Sequence, residues 1–150
     1  MTDKIKLAGR YEFYLDGKKL LVKNILISTQ INHMKNCLLG YVPPDLSIQY
    51  CGLGTGTTAA SKSDTLLETE GARVYRTNLY GQGDQIISEF TFTETQAIGT
   101  WTEVGLFLGS DVATSSADTG RLYSRAIVSP EIEKPSGKEL TIRHVTTWEY

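Results

Sequence analysis

The sequence predicts an all-β fold, an antiparallel β-sandwich or partial barrel with one short α-helix near residues 29–39, and three observations predict it. Apolar residues recur with a period of two in segment after segment. Gly, Pro and Asp-Gly punctuation separates these segments. Only one stretch carries helical spacing, and no β-helix-β alternation recurs that would build a parallel sheet. At 150 residues the chain is the size of one domain, 1–150, long enough for a real core and short for two.

The elements follow in order. In "RYEFYLDGKKLLVKN" Tyr11, Phe13 and Leu15 alternate ahead of Asp16-Gly17, a dipeptide that tolerates the positive φ angles of a tight hairpin turn. In "STQINHMKNCLLG" Ser28 or Thr29 can cap a helix, Ile31, Met34 and Leu38 fall at i, i+3 and i+7, and Gly40 can end it. Pro43 and Pro44 then forbid further helix. "LSIQYCGL" is an apolar strand, and residues 65–70 are either a helical turn capped by Asp64 or a loop. Ile86, Ser88, Phe90 and Phe92 share one face of a strand. Val104, Leu106 and Leu108 share a face of the next, the central core strand, in which Gly105 admits a neighbouring strand or aromatic ring. Leu122, Ser124, Ala126 and Val128 share a face of a third. Turns are marked by Gly81, Gly83, Gly99, the polar loop "GSDVATSSADTG" and "KPSGKE".

Charge and composition exclude whole classes of function. The net charge is −2 with both signs interspersed, which makes no footprint for direct binding of nucleic acid. No segment approaches the roughly 20 apolar residues of a membrane helix, so no membrane insertion is expected, and "MTDKIKLAGR" lacks the apolar core of a secretory signal. Synthesis in the cytosol is the expectation. Cys37 and Cys51 form no C-x-x-C pair and read as reduced packing residues.

The sharpest motif is "CGLGTGTTAASKSDTLLETEGAR". Residues 54–59, Gly-Thr-Gly-Thr-Thr-Ala, formally fit a dinucleotide fingerprint, yet "SKSDT" follows where a long helix should present its amides to pyrophosphate. Lys62 does not stand where a phosphate loop needs its lysine. The glycines therefore read as serving backbone geometry, letting a strand pass close to its neighbours before it runs into a surface loop. His33 and His144 have no nearby nucleophile partner, and His144, on a face with Leu140, Ile142, Thr146 and Trp148, reads as a core or interface histidine. Glu103 lies inside the apolar strand "WTEVGLF". A glycosidase acid would need a second positioned carboxylate, whereas a structural glutamate needs only a cation, for which Arg73, Arg121, Arg125 and Lys134 are candidates. No catalytic, cofactor-binding or metal-binding residues are assigned.

Taken in sequence, "GLGTGTTAASKSDTLLETEGAR", "WTEVGLF" and "GRLYSRAIVSPEIEKPSGKELTIRHVTTW" resemble the domain found at the N-termini of bacteriophage tail and collar fibre proteins. The matching pattern is G-x-G-T at Gly54 and Gly56, D-x-x-L-x-x-E at Asp64, Leu67 and Glu70, then Arg73. E-x-G-L-F follows at Glu103, Gly105, Leu106 and Phe107, then Arg125 and I-x-K at Ile132 and Lys134. The hairpin and the helix entry from Asn24 to Ile31 fit as well, so the resemblance spans nearly the whole chain.

What the resemblance implies is a non-enzymatic virion structural protein of the tail, collar, baseplate or short fibre, without cofactors, that assembles with other virion proteins, as a homo-oligomeric ring of three or six. In long fibres a shaft and tip follow such a domain, whereas this sequence ends at Tyr150, and a small adaptor subunit is the expectation. A head fibre or capsid decoration protein is one alternative, and a carbohydrate-binding module that takes a host surface glycan is another. Eight tyrosines and two tryptophans suit either use. The expected interface is the segment around Tyr11, Tyr14 and Lys19, the polar loop 109–120, and the C-terminal strand with Trp148 and Tyr150.

Overall fold

The computed structural model describes residues 6–41, 46–109 and 116–149. Pro43, Pro44, most of the polar loop's first half and Tyr150 lie outside the described residues. The elements are β1 (Lys6–Leu15), β2 (Lys18–Lys23), β3 (Ile25–Leu26), α1 (Ser28–Leu38), β4 (Ile48–Gly54), β5 (Glu70–Gln82), β6 (Gln85–Phe92), β7 (Gly99–Leu108), β8 (Arg121–Lys134) and β9 (Leu140–Glu149). The nine strands form one sheet in the order β2-β1-β9-β6-β5-β4-β7-β8-β3. Every described pairing is antiparallel. Of the two predicted architectures the chain takes the barrel. Register shifts in β4, β5 and β8 add twist and bend the strands, and the curled sheet brings its ends together where the Asn24 amide donates to the Gly9 carbonyl at 3.3 Å.

Two hydrophobic layers result. The barrel interior holds Tyr11, Phe13, Leu53, Phe90, Val104 and Leu106 among others. A smaller cluster, Ile27, Tyr50, Leu67, Phe107 and Leu122, lies on the outer face of β4, β7 and β8. From Glu103 onward strand β7 is therefore buried on both sides, with Val104, Leu106 and Leu108 facing in and Glu103, Gly105 and Phe107 facing the outer layer, while Trp101, before a slip in register, also packs in the interior. The hairpin forms as expected, with positive φ at Asp16 (51°) and Gly17 (74°).

Three local expectations are corrected. Leu122 does not share a face with Ala126 and Val128. The β7–β8 register slips between Leu106 opposite Ser124 and Phe107 opposite Leu122, so Tyr123 is an extra, inward residue and Leu122 turns to the outer cluster. Helix α1 is capped at neither Ser28 nor Thr29. Ile27 occupies the N-cap because its side chain is needed in the outer cluster, and the Ser28 amide donates to the Lys62 carbonyl at 3.1 Å instead. Residues 65–69 are loop, with no helical turn, and β5 begins at Glu70.

The helix ends as predicted. Gly40 takes φ of 76°, and the Tyr41 and Gly40 amides close back onto the Asn36 and Cys37 carbonyls. Its apolar stripe, however, faces out: Ile31 is 50% and Leu38 90% exposed, while Gln30 is the buried residue and donates to the Leu122 carbonyl at 3.0 Å.

Candidate functional site

The glycine-rich stretch does cradle an anion, and the anion belongs to the chain itself. Strand alternation puts Gly52 and Gly54 on the outer face of β4, and Gly56 continues the period into the loop. Glu103, fully buried on β7, stands opposite Gly54. Its Oε1 accepts the Gly56 amide at 3.0 Å and the Thr69 amide at 2.7 Å, and its Oε2 accepts the Glu68 amide at 3.0 Å and Arg125 Nε at 3.0 Å. A Cβ on Gly54 would collide with the Glu103 carboxylate and the Thr69 carbonyl, and one on Gly56 would lie 2.7 Å from Glu103 Oε1. Close approach, with no positive φ at either position, is the reason for glycine here.

Arg125, on β8, completes the clamp. Its buried guanidinium binds Asp64 Oδ2 at 2.9 Å through Nη1 and the Thr58 carbonyl at 3.0 Å through Nη2, besides Glu103. Glu68 closes the loop from outside, its Oε2 accepting the Thr57 and Thr58 amides at 3.0 and 2.8 Å. The Thr58 amide and hydroxyl bonds hold the Glu68 carboxyl below the usual carboxylate range. The amides of residues 56–58 are thus spent on two carboxylates of the same chain. Both Glu103 oxygens are saturated with donors and shielded from water, so the arrangement pins loop 55–69 to the sheet.

Neighbouring motif residues extend the lock. Leu67 presses onto Gly105, where a Cβ would lie 2.7 Å from its Cδ2. The space is shared between this loop leucine and the neighbouring strand β8 that the sequence led one to expect, whose Leu122 Cδ1 and Ser124 carbonyl would lie 3.0 and 3.2 Å from the added Cβ. Arg73 pairs with Glu70, with Nη2 2.8 Å from Oε2, lies 3.9 Å over the Phe107 ring, and donates to the Thr119 carbonyl at 3.0 Å. Gly52 leaves room for Glu70 as Gly54 does for Glu103. Of the four cations proposed for Glu103, Arg125 is the partner. Lys134 is buried at the far end of β8 and donates to the Thr93 carbonyl at 2.8 Å. Leu106 faces the barrel interior. Glu68 escaped sequence reasoning, and so did the meaning of glycines spaced two apart. That spacing places Gly52 and Gly54 on one strand face and carries Gly56 into the loop on the same side, which is the signal that was there to read.

The predicted interface residues separate. Tyr11 is fully buried, its hydroxyl bonded to Ser124 and its ring 4.7 Å from the His144 ring, so it belongs to the core and offers no surface to a neighbour. Tyr14 and Lys19 face each other on β1 and β2 and are exposed. Beside them Glu12 accepts Arg143 at 2.9 Å, Tyr14 at 3.1 Å and Arg10 at 3.2 Å. Burial opposes its charge, but these bonds outweigh burial and bring its pKa down to about 2. His144 is a core histidine whose burial, reinforced by the Arg10 charge, brings its pKa down to about 3. Trp148 is half-buried between two surface hollows of about 900 and 350 Å3. Among the described residues no group of three or more His, Cys, Asp or Glu converges to hold a metal ion. No family model, no curated protein and no solved structure matches the chain.

Proposed function

We propose that this chain is a non-enzymatic structural subunit of a bacteriophage virion, at the tail, collar, baseplate or short fibre, that acts by assembling with other virion proteins. One observation carries the reading. Six positions on which the resemblance rests, Gly54, Gly56, Asp64, Leu67, Glu103 and Arg125, lie within a single lock, although they are spread over 72 positions of sequence. A motif set scattered by chance has no reason to converge, whereas a fold-defining pattern must. The chemically capable residues in it are occupied: Glu103 and Arg125 hold each other, and the loop amides hold carboxylates. What the molecule presents outward is apolar and aromatic surface, including Ile31, Leu38, Leu39, Tyr41, Tyr75 and Tyr80, which suits association.

The test is the mass-resolved composition of purified phage particles whose genome encodes the chain. A few to a few dozen copies per particle is the expected result. Hundreds of copies would move the subunit to the capsid, and absence from particles would refute the assignment.

A further inference from the structure

We infer that the groove between helix α1 and the N-terminal half of β1 is a docking site for an extended acidic segment of a partner protein, which adds to the barrel as a strand. Three features of the described residues converge there. First, the barrel seam is open. Strand β1 pairs with β9 along its whole length, but with β2 only from Arg10 onward, and β3 pairs only with β8. Trp148, opposite Leu7, sends its amide away from β1 to the Asp84 carbonyl at 3.0 Å. Leu7 and Trp148 are therefore a non-hydrogen-bonded pair, and the Leu7 amide and carbonyl point away from β9, into the groove. An unpaired edge of this kind is a template for an incoming strand.

Second, the floor of the groove is apolar and roomy. An open hollow of about 900 Å3 lies between Leu7, Leu26 and Val145 on the barrel and Ile31, Met34 and Leu38 on the helix. The outward stripe of α1, unexplained by the fold, forms one wall. Third, the rim is basic. Lys6, Arg10, Lys23, Lys35 and Lys62 line it against one carboxylate, Glu149, in a chain of net charge −2. Lys6 is paired with Glu149 and Arg10 with Glu12, which leaves Lys23, Lys35 and Lys62 with no ion pair among the described residues. An apolar floor, a free backbone edge and three unpaired cations match a strand that alternates apolar and acidic side chains. They match nucleic acid less well, because it has no use for the floor or the edge.

The inference rests on the assembly reading only for who supplies the segment, and the two have separate readouts. The probe is a fluorescein-labelled peptide of about eight alternating Glu and Val residues, a length ordinary for a strand, titrated with the full chain by fluorescence anisotropy. Its Lys-Val counterpart and a dT oligonucleotide serve as controls. Saturable binding of the acidic peptide is expected, at least about tenfold tighter than either control and weakened by salt. The combined substitution K23E, K35E and K62E should cost at least about tenfold in affinity. Because Ile31 and Leu38 are exposed, Ile31→Glu with Leu38→Glu should do the same without lowering the Tm. Hydrogen exchange at the Leu7 amide should slow when the peptide is bound. No binding up to about 1 mM, equal or tighter binding of either control, indifference to both sets of substitutions, or protection elsewhere on the barrel would each overturn the inference. So would a dimer of the chain itself that the triple substitution dissolves while the peptide fails to bind. Absence of the chain from particles would refute the virion assignment and leave the peptide result untouched.

Discussion

Glu103 and Arg125 show how a buried ion pair is made tolerable. Taking either charge out of water costs several kcal/mol, offset here by saturating both groups with hydrogen bonds. Glu103→Gln leaves Arg125 short of a charge and loop amides short of an acceptor, and should destabilise the fold by about 3 kcal/mol in urea unfolding. Adding Arg125→Met should cost less than the sum of the two changes, and strict additivity would mean the groups are not coupled. Gly54→Val forces the carboxylate out and should do at least as much harm. Since the amides of residues 56–58 are occupied, ATP or NAD should leave the Tm unchanged, and a clear rise would revive nucleotide binding. His144 sets the acid response. Its folded pKa of about 3 lies below the ordinary 6.5, so the unfolded chain takes up the proton first and stability falls as pH drops from 6.5 toward 3. The slope for this one group approaches about 1.4 kcal/mol per pH unit. Glu12, depressed from 4.5 to about 2, contributes stability above pH 4.5 that is lost as pH falls toward 2. Between pH 6.5 and 4.5 the histidine therefore acts before Glu12 does, and H144Q should flatten the stability profile there. An unchanged slope would mean that His144 takes up a proton in the folded barrel.

At the scale of elements, β7 and α1 behave oppositely to substitution. Leu106 lies in the barrel interior with no exposed surface, and Leu106→Ala should cost about 2 to 5 kcal/mol. Leu38→Lys, on the outward stripe of the helix, should change stability by less than about 0.5 kcal/mol. A large loss there would mean that the stripe packs against something within the chain. The contrast explains which elements were legible. The hairpin was, because Asp16-Gly17 dictates its turn through local backbone preference. The helix was located by its spacing and Gly40, but its orientation was not, because Ile27 and Gln30 anchor it through contacts with Phe107 and Leu122, far along the chain. The slip at Tyr123 was invisible for a similar reason. A bulge is decided by what the partner strand requires, and the alternation of one strand does not contain that information.

At the scale of the whole molecule, the proposed subunit role draws on a fold whose buried charges, Glu103 and Arg125 above all, are occupied within the chain and whose seam is open to a neighbour. If the proposed assembly role holds, native mass spectrometry of the purified chain should find closed species of three or six copies. The interfaces in such a ring should bury roughly 800 Å2 per partner. Tyr14, Lys19 and Trp148 remain available to such contacts, and Tyr11 does not. A strictly monomeric chain under every condition would argue against the ring.

By itself the sequence determined the class of the fold, seven of its nine strands (all but β3 and β5), most of the turns, and that a structural Glu103 would need a cation, because period, turn chemistry and the cost of burying a charge are local quantities. Only the tertiary structure decided that Arg125, of four candidates, supplies that cation, that three glycines clear space for carboxylates, and that the helix stripe lines a groove. Each of those depends on which strands lie side by side. That is settled by the closing of the whole sheet, and no single segment encodes it.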